Sequence, residues 1–312
     1  MRFYEGSAEL AGAAAGCVLT VGNFDGVHLG HQSLLRAVLD RGQALGKPTA
    51  LYTFDPHPRR VLASDGSPPR LMTWDQLAAE LERTGIDILV RETFTREFAA
   101  MTPEAFLSDI IRARLRPAEI HVGRDFHFGK DRSGSGETLL RLGPELGIRV
   151  EIVPQVRAGE VDVSSTRIRD ALASGDVAGA ALCLGRPYSI WGAVVRGAER
   201  GRALGFPTLN LDTENELIPS NGVYATTARF LDEATERPSV TNVGTRPTFE
   251  PGQVLVETHL IDGEGDFYGR RVAVSFHARI RAEQRFPGPE ALEEQIAKDV
   301  LAAREIIAGS VA

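Results

Sequence analysis

Apolar positions along the chain follow two different periods, and the change falls near Gly185. Before it, short apolar runs alternate with stretches of helical spacing. "CVLTV" precedes "HQSLLRAVLDRGQALG", and "TALYTF" (Thr49 to Phe54) is followed by a loop and then by "TWDQLAAELERTG", a helix ended by Gly85. "IDILV" (Ile86 to Val90) leads to "TPEAFLSDIIRARL", where Thr102 caps and Pro103 takes the first helical position. "EIHVG" (Glu119 to Gly123) and "RVEIV" (Arg149 to Val153) are the later strands. Strands rich in Val and Ile, alternating with helices, predict a parallel sheet with helices on both faces.

Beyond Gly185 the period becomes two. "RVAVSFHARIR" puts Val272, Val274, Phe276, Ala278 and Ile280 on one face, and leaves Arg279 and Arg281 as solvated edge charges. "VYATTARF", "SVTNVG" and "VLVETHLI" are similar short strands between Gly, Pro and Asp turns. Together they predict a small antiparallel barrel or sandwich. A terminal helix starts at Pro289 and carries the stripe Leu292, Ile296, Val300, Ala303 and Ile307. The expected domains are 1–184 and 185–312, as befits 312 residues, more than one ordinary core needs.

Composition narrows the class. The chain is 43% hydrophobic and carries 35 Lys+Arg against 42 Asp+Glu, a net charge of -7. An acidic chain without a basic block argues against nucleic acid as a partner, while leaving room for local phosphate sites. Its two cysteines, Cys17 and Cys183, make no disulfide framework and suit a reducing cytosol. The N-terminal stretch lacks the pattern of a signal peptide, and the apolar run 11–22 is too short for a membrane span, so a soluble cytoplasmic protein is expected.

The chemistry concentrates in "TVGNFDGVHLGH" (Thr20 to His31). A glycine-rich turn between a parallel strand and a helix leaves backbone N–H groups unpaired at the positive end of the helix dipole, which makes an anion site. Gly22, Gly26 and Gly30 let the backbone approach a phosphate, and His28 and His31 are placed to donate to charge developing on it. A metal site is the competing reading, although zinc motifs of this kind space their histidines by four; a structural loop is another. In "DVSSTRIRDAL" (Asp162 to Leu172), Ser164 or Ser165 caps a helix, and Thr166, Arg167 and Arg169 bring a hydroxyl and charge suited to phosphate oxygens.

"TFDPHP" (Thr53 to Pro58), "GRDFHFGKDRSG" (Gly123 to Gly134) and, in the second half, "RGAERGRALGFPTLN" (Arg196 to Asn210), "NGVYA", "TNVGTRPTF", "VETHLID" and "IRAEQRF" complete an ordered set. With them the sequence closely resembles the bifunctional bacterial FAD synthetases, from about residue 16 to 306. The first half matches G-x-F-D-G-x-H-x-G-H, T-F-x-P-H-P, G-x-D-F-x-F-G and S-S-T-x-I-R; the second matches G-R-x-x-G-F-P-T-x-N.

The resemblance implies a Rossmann-like nucleotidyltransferase domain followed by a riboflavin kinase barrel. It implies ATP, riboflavin, FMN and FAD as ligands, Mg2+ with ATP, and no membrane or nucleic-acid partner. Nucleotide contacts are expected from Gly22, Phe24, Asp25, Gly26, Gly30, Ser164, Ser165 and Thr166, with Asp125 and Phe126 in the nucleotide or flavin pocket. His28, His31 and Arg169 are expected to stabilise charge during adenylyl transfer. In the kinase half, Gly197, Gly201, Arg202, Gly205 and Pro207 are expected around the phosphates, Thr208 and Asn210 on Mg2+, and Glu257 as the general base. Read without the resemblance, "GFPTLN" is equally a polar turn and Glu257 a solvated strand residue. Arg196, Ala198, Glu199, Leu209 and Leu77 depart from the family pattern. Two other readings stay open at this level: a different H-x-G-H adenylyltransferase fused to a binding module, and a non-catalytic flavin-binding protein.

Overall fold

A computed structural model of the protein describes residues 1–63, 66–197, 206–245, 254–263 and 265–310. Gly201, Arg202 and Gly205, with the departures Ala198 and Glu199, lie outside the described residues. The chain forms two compact units, one of residues 1–69 and 74–163, the other of 70–73 and 164–312.

The first unit is built on six strands: β1 (Arg2–Tyr4), β2 (Val18–Val21), β3 (Thr49–Asp55), β4 (Ile88–Thr93), β5 (Glu119–Gly123) and β6 (Arg149–Val153). All pair in parallel, in the order β1-β4-β3-β2-β5-β6. The edge strand β1 was not legible in the hydrophobic pattern; three residues are too few to show a period. Leu19, Val21, Ala50, Tyr52, Ile88, Val90, Ile120 and Val122 form one buried face. The helix Phe106–Leu115 belongs to that core, and it winds as a wide π-type turn whose last bond runs from Arg116 N–H to Ile111 O. Thr102 caps the preceding turn, with Pro103 first in the helix, as the sequence predicted.

The opposite face meets α1 (Leu29–Leu45). There Glu119 is buried and accepts a two-pronged bond from Arg41 of α1, at 2.7 and 2.6 Å. That guanidinium holds the Glu119 carboxyl below its usual range. His121, two residues along the same face, is buried too, and burial pushes its pKa down. The strand "EIHVG" therefore carries a buried carboxylate, paired with the partly exposed Arg41, and a buried imidazole.

The second unit is a closed antiparallel barrel of β7 (Tyr188–Val195), β8 (Thr208–Thr213), β9 (Gly222–Phe230), β10 (Arg237–Thr245), β11 (Val254–Leu260) and β12 (Arg271–Arg281), in the order β7-β8-β11-β10-β9-β12. Its interior mixes Tyr224, Phe230 and Phe276 with four fully buried hydroxyls. Thr226 bonds Ser239 and Thr241 at 2.8 Å each, and Thr241 bonds Thr258 at 2.9 Å. Linking the hydroxyls to one another satisfies groups that would each be costly to bury alone.

The terminal helix Pro289–Ser310 lays Ala303 and Ile307 on Val223, Ala225, Val240 and Ile261 of the outer wall. Arg281 is not a solvated edge charge: it forks onto the buried Asp299 of this helix at 2.8–3.1 Å. Arg279 donates to the backbone carbonyl of Asn221. Two further helices, Ser165–Ser174 and Val177–Leu184, belong to this unit, and the second packs on β12 and β7.

Candidate active sites

In the first unit the chain runs outward from β2 to β3 and β4, then returns to place β5 on the other side of β2. The topological switch point is thus between β2 and β5, where open α/β sheets bind ligands beyond the carboxyl ends of their strands. The segment Gly22–His31 leaves β2 there, and Arg124–Phe126 leaves β5.

The turn between β2 and α1 is tightly determined. Gly22 N–H bonds the Tyr52 carbonyl of β3 at 3.1 Å, and the Thr53 hydroxyl donates to the Asn23 carbonyl at 3.4 Å. Phe24 and Val27 adopt positive φ of 48° and 40°, which costs strain for side-chain-bearing residues; both side chains are sealed in the core, which holds them there. Between them Gly26, at φ 87°, takes the conformation with no such penalty.

His28 is the N-cap of α1: its Nδ1 accepts the His31 N–H at 3.3 Å. An accepting Nδ1 leaves the proton of the neutral ring on Nε2. The rings of His28 and His31 stack at 3.7 Å and 13°, with Phe24 4.9 Å from His31. Burial and the neighbouring His28 push the His31 pKa well down, so His31 is a neutral ring at physiological pH. Among the described residues its Nδ1 is buried without a hydrogen-bond partner. Gly30 packs against the His28 ring closely enough that a side chain there would press on it. The described residues contain no group of three His, Cys, Asp or Glu placed to hold a metal ion.

Phe126 stacks on Phe128 at 5.4 Å and 18°, and Asp125 lies exposed beside it. Phe54, Phe94 and Phe98, near the ends of β3 and β4, form a further set of mutual ring contacts of 5.5–5.7 Å that continues to Phe106. Sequence reading passed over this aromatic cluster, since Phe54 meets Phe94 and Phe98 only through the parallel pairing of β3 with β4. Ser164 caps the helix Ser165–Ser174, accepting the Arg167 N–H at 3.3 Å; Ser164, Ser165, Thr166 and Arg169 all fall in the second unit.

On the barrel, Asn210 of β8, Glu257 of β11 and Asn242 of β10 are successive cross-strand partners, on the outer face. Asn210 is buried, and its Oδ1 has no hydrogen-bond partner among the described residues. Gly197 packs directly on the Asn210 carboxamide; any Cβ there would collide with it. Thr208 lies two residues before Asn210 on the same face and pairs with His259. Arg196 stacks over the Tyr268 ring at 4.9 Å.

The fold defines a protein of two parts, an α/β unit with a glycine-rich turn at its switch point and a closed barrel bearing a carboxylate between carboxamides. The sequence profile described as FAD synthetase matches residues 11–167, and that described as riboflavin kinase matches residues 184–307. The chain is 40% identical over 306 residues to the bifunctional riboflavin kinase/FMN adenylyltransferase of Escherichia coli K12, covering 98% of this chain and 97% of that one. The protein of the same description from Pseudomonas fluorescens is 38% identical, with 99% of both chains covered. A crystal structure described as a macrolide-efflux protein from Streptococcus pneumoniae superposes with a TM-score of 0.87 at 29% identity, covering 97% of this chain and 98% of that one. The chain belongs to the bifunctional riboflavin kinase/FMN adenylyltransferase family. Among the described residues no helix is long and apolar enough to cross a membrane.

Proposed function

We propose that the barrel converts riboflavin and ATP to FMN and ADP, and that the α/β unit converts FMN and ATP to FAD and pyrophosphate. The observation that carries this reading is the cross-strand pair Asn210–Glu257, a carboxylate beside a buried amide oxygen with nothing to accept from among the described residues.

In the barrel, Glu257 takes the proton of the ribityl 5′-hydroxyl as that oxygen attacks the γ-phosphorus and ADP leaves. The Asn210 Oδ1, unpartnered among the described residues, and the Thr208 hydroxyl on the same face offer the hard oxygen donors that Mg2+ prefers, so these two residues fit the ion. When bound, Mg2+ neutralises charge on the phosphate oxygens. Gly197 and Pro207 border this donor pair, and Gly201, Arg202 and Gly205 retain their expected part from the family motif alone.

In the α/β unit, an FMN phosphate oxygen attacks the α-phosphorus of ATP; the new P–O bond forms as the bond to the departing pyrophosphate breaks. The α1 N-terminus supplies backbone donors to the phosphates, the Gly22 N–H being spent on the Tyr52 carbonyl, and His28 gives its Nε2–H to developing charge. His31 acts as a neutral donor beside it. Phe24 and Asp25 shape the turn, and Phe126 with its stacked neighbour offers a flat apolar surface suited to a ring, Asp125 standing at its rim. This site is built from first-unit residues; Ser164, Ser165, Thr166 and Arg169 retain the roles implied by their motif. The functional domains on this reading run 1–184 and 185–312. The buried free thiols Cys17 and Cys183 suit a cytoplasmic enzyme.

The deciding experiment supplies riboflavin and Mg-ATP and resolves the flavins by chromatography over time. FMN should appear first and FAD after it. A protein that binds flavin and turns over neither reaction would refute the reading.

A further inference from the structure

Four residues form a block on the outer barrel wall. Thr208 is the cross-strand partner of His259, and Asn210 that of Glu257. Residues two apart on a strand share a face, so all four side chains leave the wall on one side. Three corners have a part in phosphoryl transfer as proposed above; His259 is the fourth.

Its Nδ1 lies 2.9 Å from the Pro207 carbonyl oxygen. A carbonyl only accepts, so the neutral ring carries its proton on Nδ1. The Phe206 ring meets the same imidazole edge-on at 5.4 Å. Pro207 has no N–H to enter a ladder, and the pairing of β8 with β11 begins only at Thr208. The contact from His259 therefore anchors the peptide just ahead of the strand, where the ladder does not.

We propose that His259 is a positioning residue for riboflavin phosphorylation: its Nδ1–H bond to Pro207 fixes the entry to β8, and so sets the Thr208 hydroxyl beside Asn210 Oδ1 and across from Glu257. The inference rests on the reading of Thr208 and Asn210 as the residues on the metal side of the nucleotide.

The test compares three variants. His259→Asn places an amide N–H close to where Nδ1 stands, His259→Gln places one near Nε2, and His259→Ala has neither. Misplacing a reacting group by an ångström costs ~10²-fold in rate. His259→Ala is expected to lower kcat for FMN formation by ~10- to 10²-fold with KM for riboflavin little changed, and to raise the Mg2+ concentration needed for ADP to protect the enzyme from thermal unfolding. His259→Asn should restore both readouts and His259→Gln neither, while adenylylation of supplied FMN continues in all three. Long-range proton–nitrogen NMR of the wild-type imidazole should show the Nδ1–H tautomer. Rescue by Gln and not by Asn, an Nε2–H tautomer, or normal kinetics and Mg2+ dependence in His259→Ala would overturn the proposal. If His259→Ala fails to fold, the Asn and Gln pair decides alone. Asn210→Ala serves as the control for the underlying reading: an unchanged Mg2+ requirement there would refute the metal role, whatever the His259 variants do.

Discussion

Asn210 and Glu257 stand opposite each other on neighbouring strands of the barrel, and the backbone of Gly197 is pressed against the Asn210 carboxamide. The pair stands 47 positions apart in the sequence, from 210 to 257. The ladder makes them neighbours within about 5.5 Å at Cβ, the spacing that the roles proposed for them, a base and a metal-side oxygen, require.

Glu257→Gln keeps the size and loses the basicity. FMN formation from riboflavin should fall by ~10²-fold or more, while FAD formation from supplied FMN continues, since its phosphate nucleophile is already ionised. Following both products in one variant checks this. Phosphorylation at the normal rate would remove Glu257 as base, and loss of both reactions would point to a folding defect.

His28→Ala and His31→Ala should each stop FAD formation and let FMN accumulate, with a loss of ~10²–10³-fold. His28→Ala carries a second cost, because its Nδ1 caps α1; loss of a cap costs about 1 kcal/mol. His28→Asn, which can still cap, should recover the melting temperature without recovering adenylylation. Full activity in His28→Asn would mean that the imidazole has no chemical part.

A fragment of residues 164–312 should melt higher than one of 186–312. The helices Ser165–Ser174 and Val177–Leu184 belong to the barrel unit, burying Ile168, Leu172, Val177, Ala180, Cys183 and Leu184. Both fragments should phosphorylate riboflavin if the functional boundary lies near 185. Calorimetry and product assays on the two fragments check this, and equal melting temperatures would show that the helices add nothing to the barrel.

His121 gives a pH dependence of definite sign. Burial lowers its folded pKa from 6.5. As pH falls through that value the unfolded chain takes up a proton that the fold refuses, so stability declines below about pH 6.5; His31, also lowered, adds to the slope. Thermal melts between pH 7.5 and 5.5 should show a shallower decline in His121→Val than in the wild type. An equal slope in both would place the proton uptake elsewhere.

The local pattern determined a good deal. Period and length separated the parallel-sheet half from the barrel half, since side chains alternate on a strand and repeat every turn on a helix. The strand-turn-helix at Gly22–His31 was legible because it is built from consecutive residues. Capping by Thr102 was legible for the same reason, while the choice of Ser164 over Ser165 as the other cap came from the structure.

What lies across strands was not. Nothing in "EIHVG" says that Glu119 is buried against Arg41, and nothing in "RIR" says that Arg281 forks onto Asp299; a charge reads as solvated until a distant partner is brought to it. The chain of hydroxyls from Thr226 to Thr258, the aromatic cluster at the strand ends and the block of Thr208, Asn210, Glu257 and His259 have the same character. Each depends on register, and a slip of one residue would turn these side chains to the other face. Local sequence determined which elements form and where the glycine-rich turn leaves the sheet. Closure of the barrel and the strand order of the sheet, set by long-range pairing, decided which residues share a site.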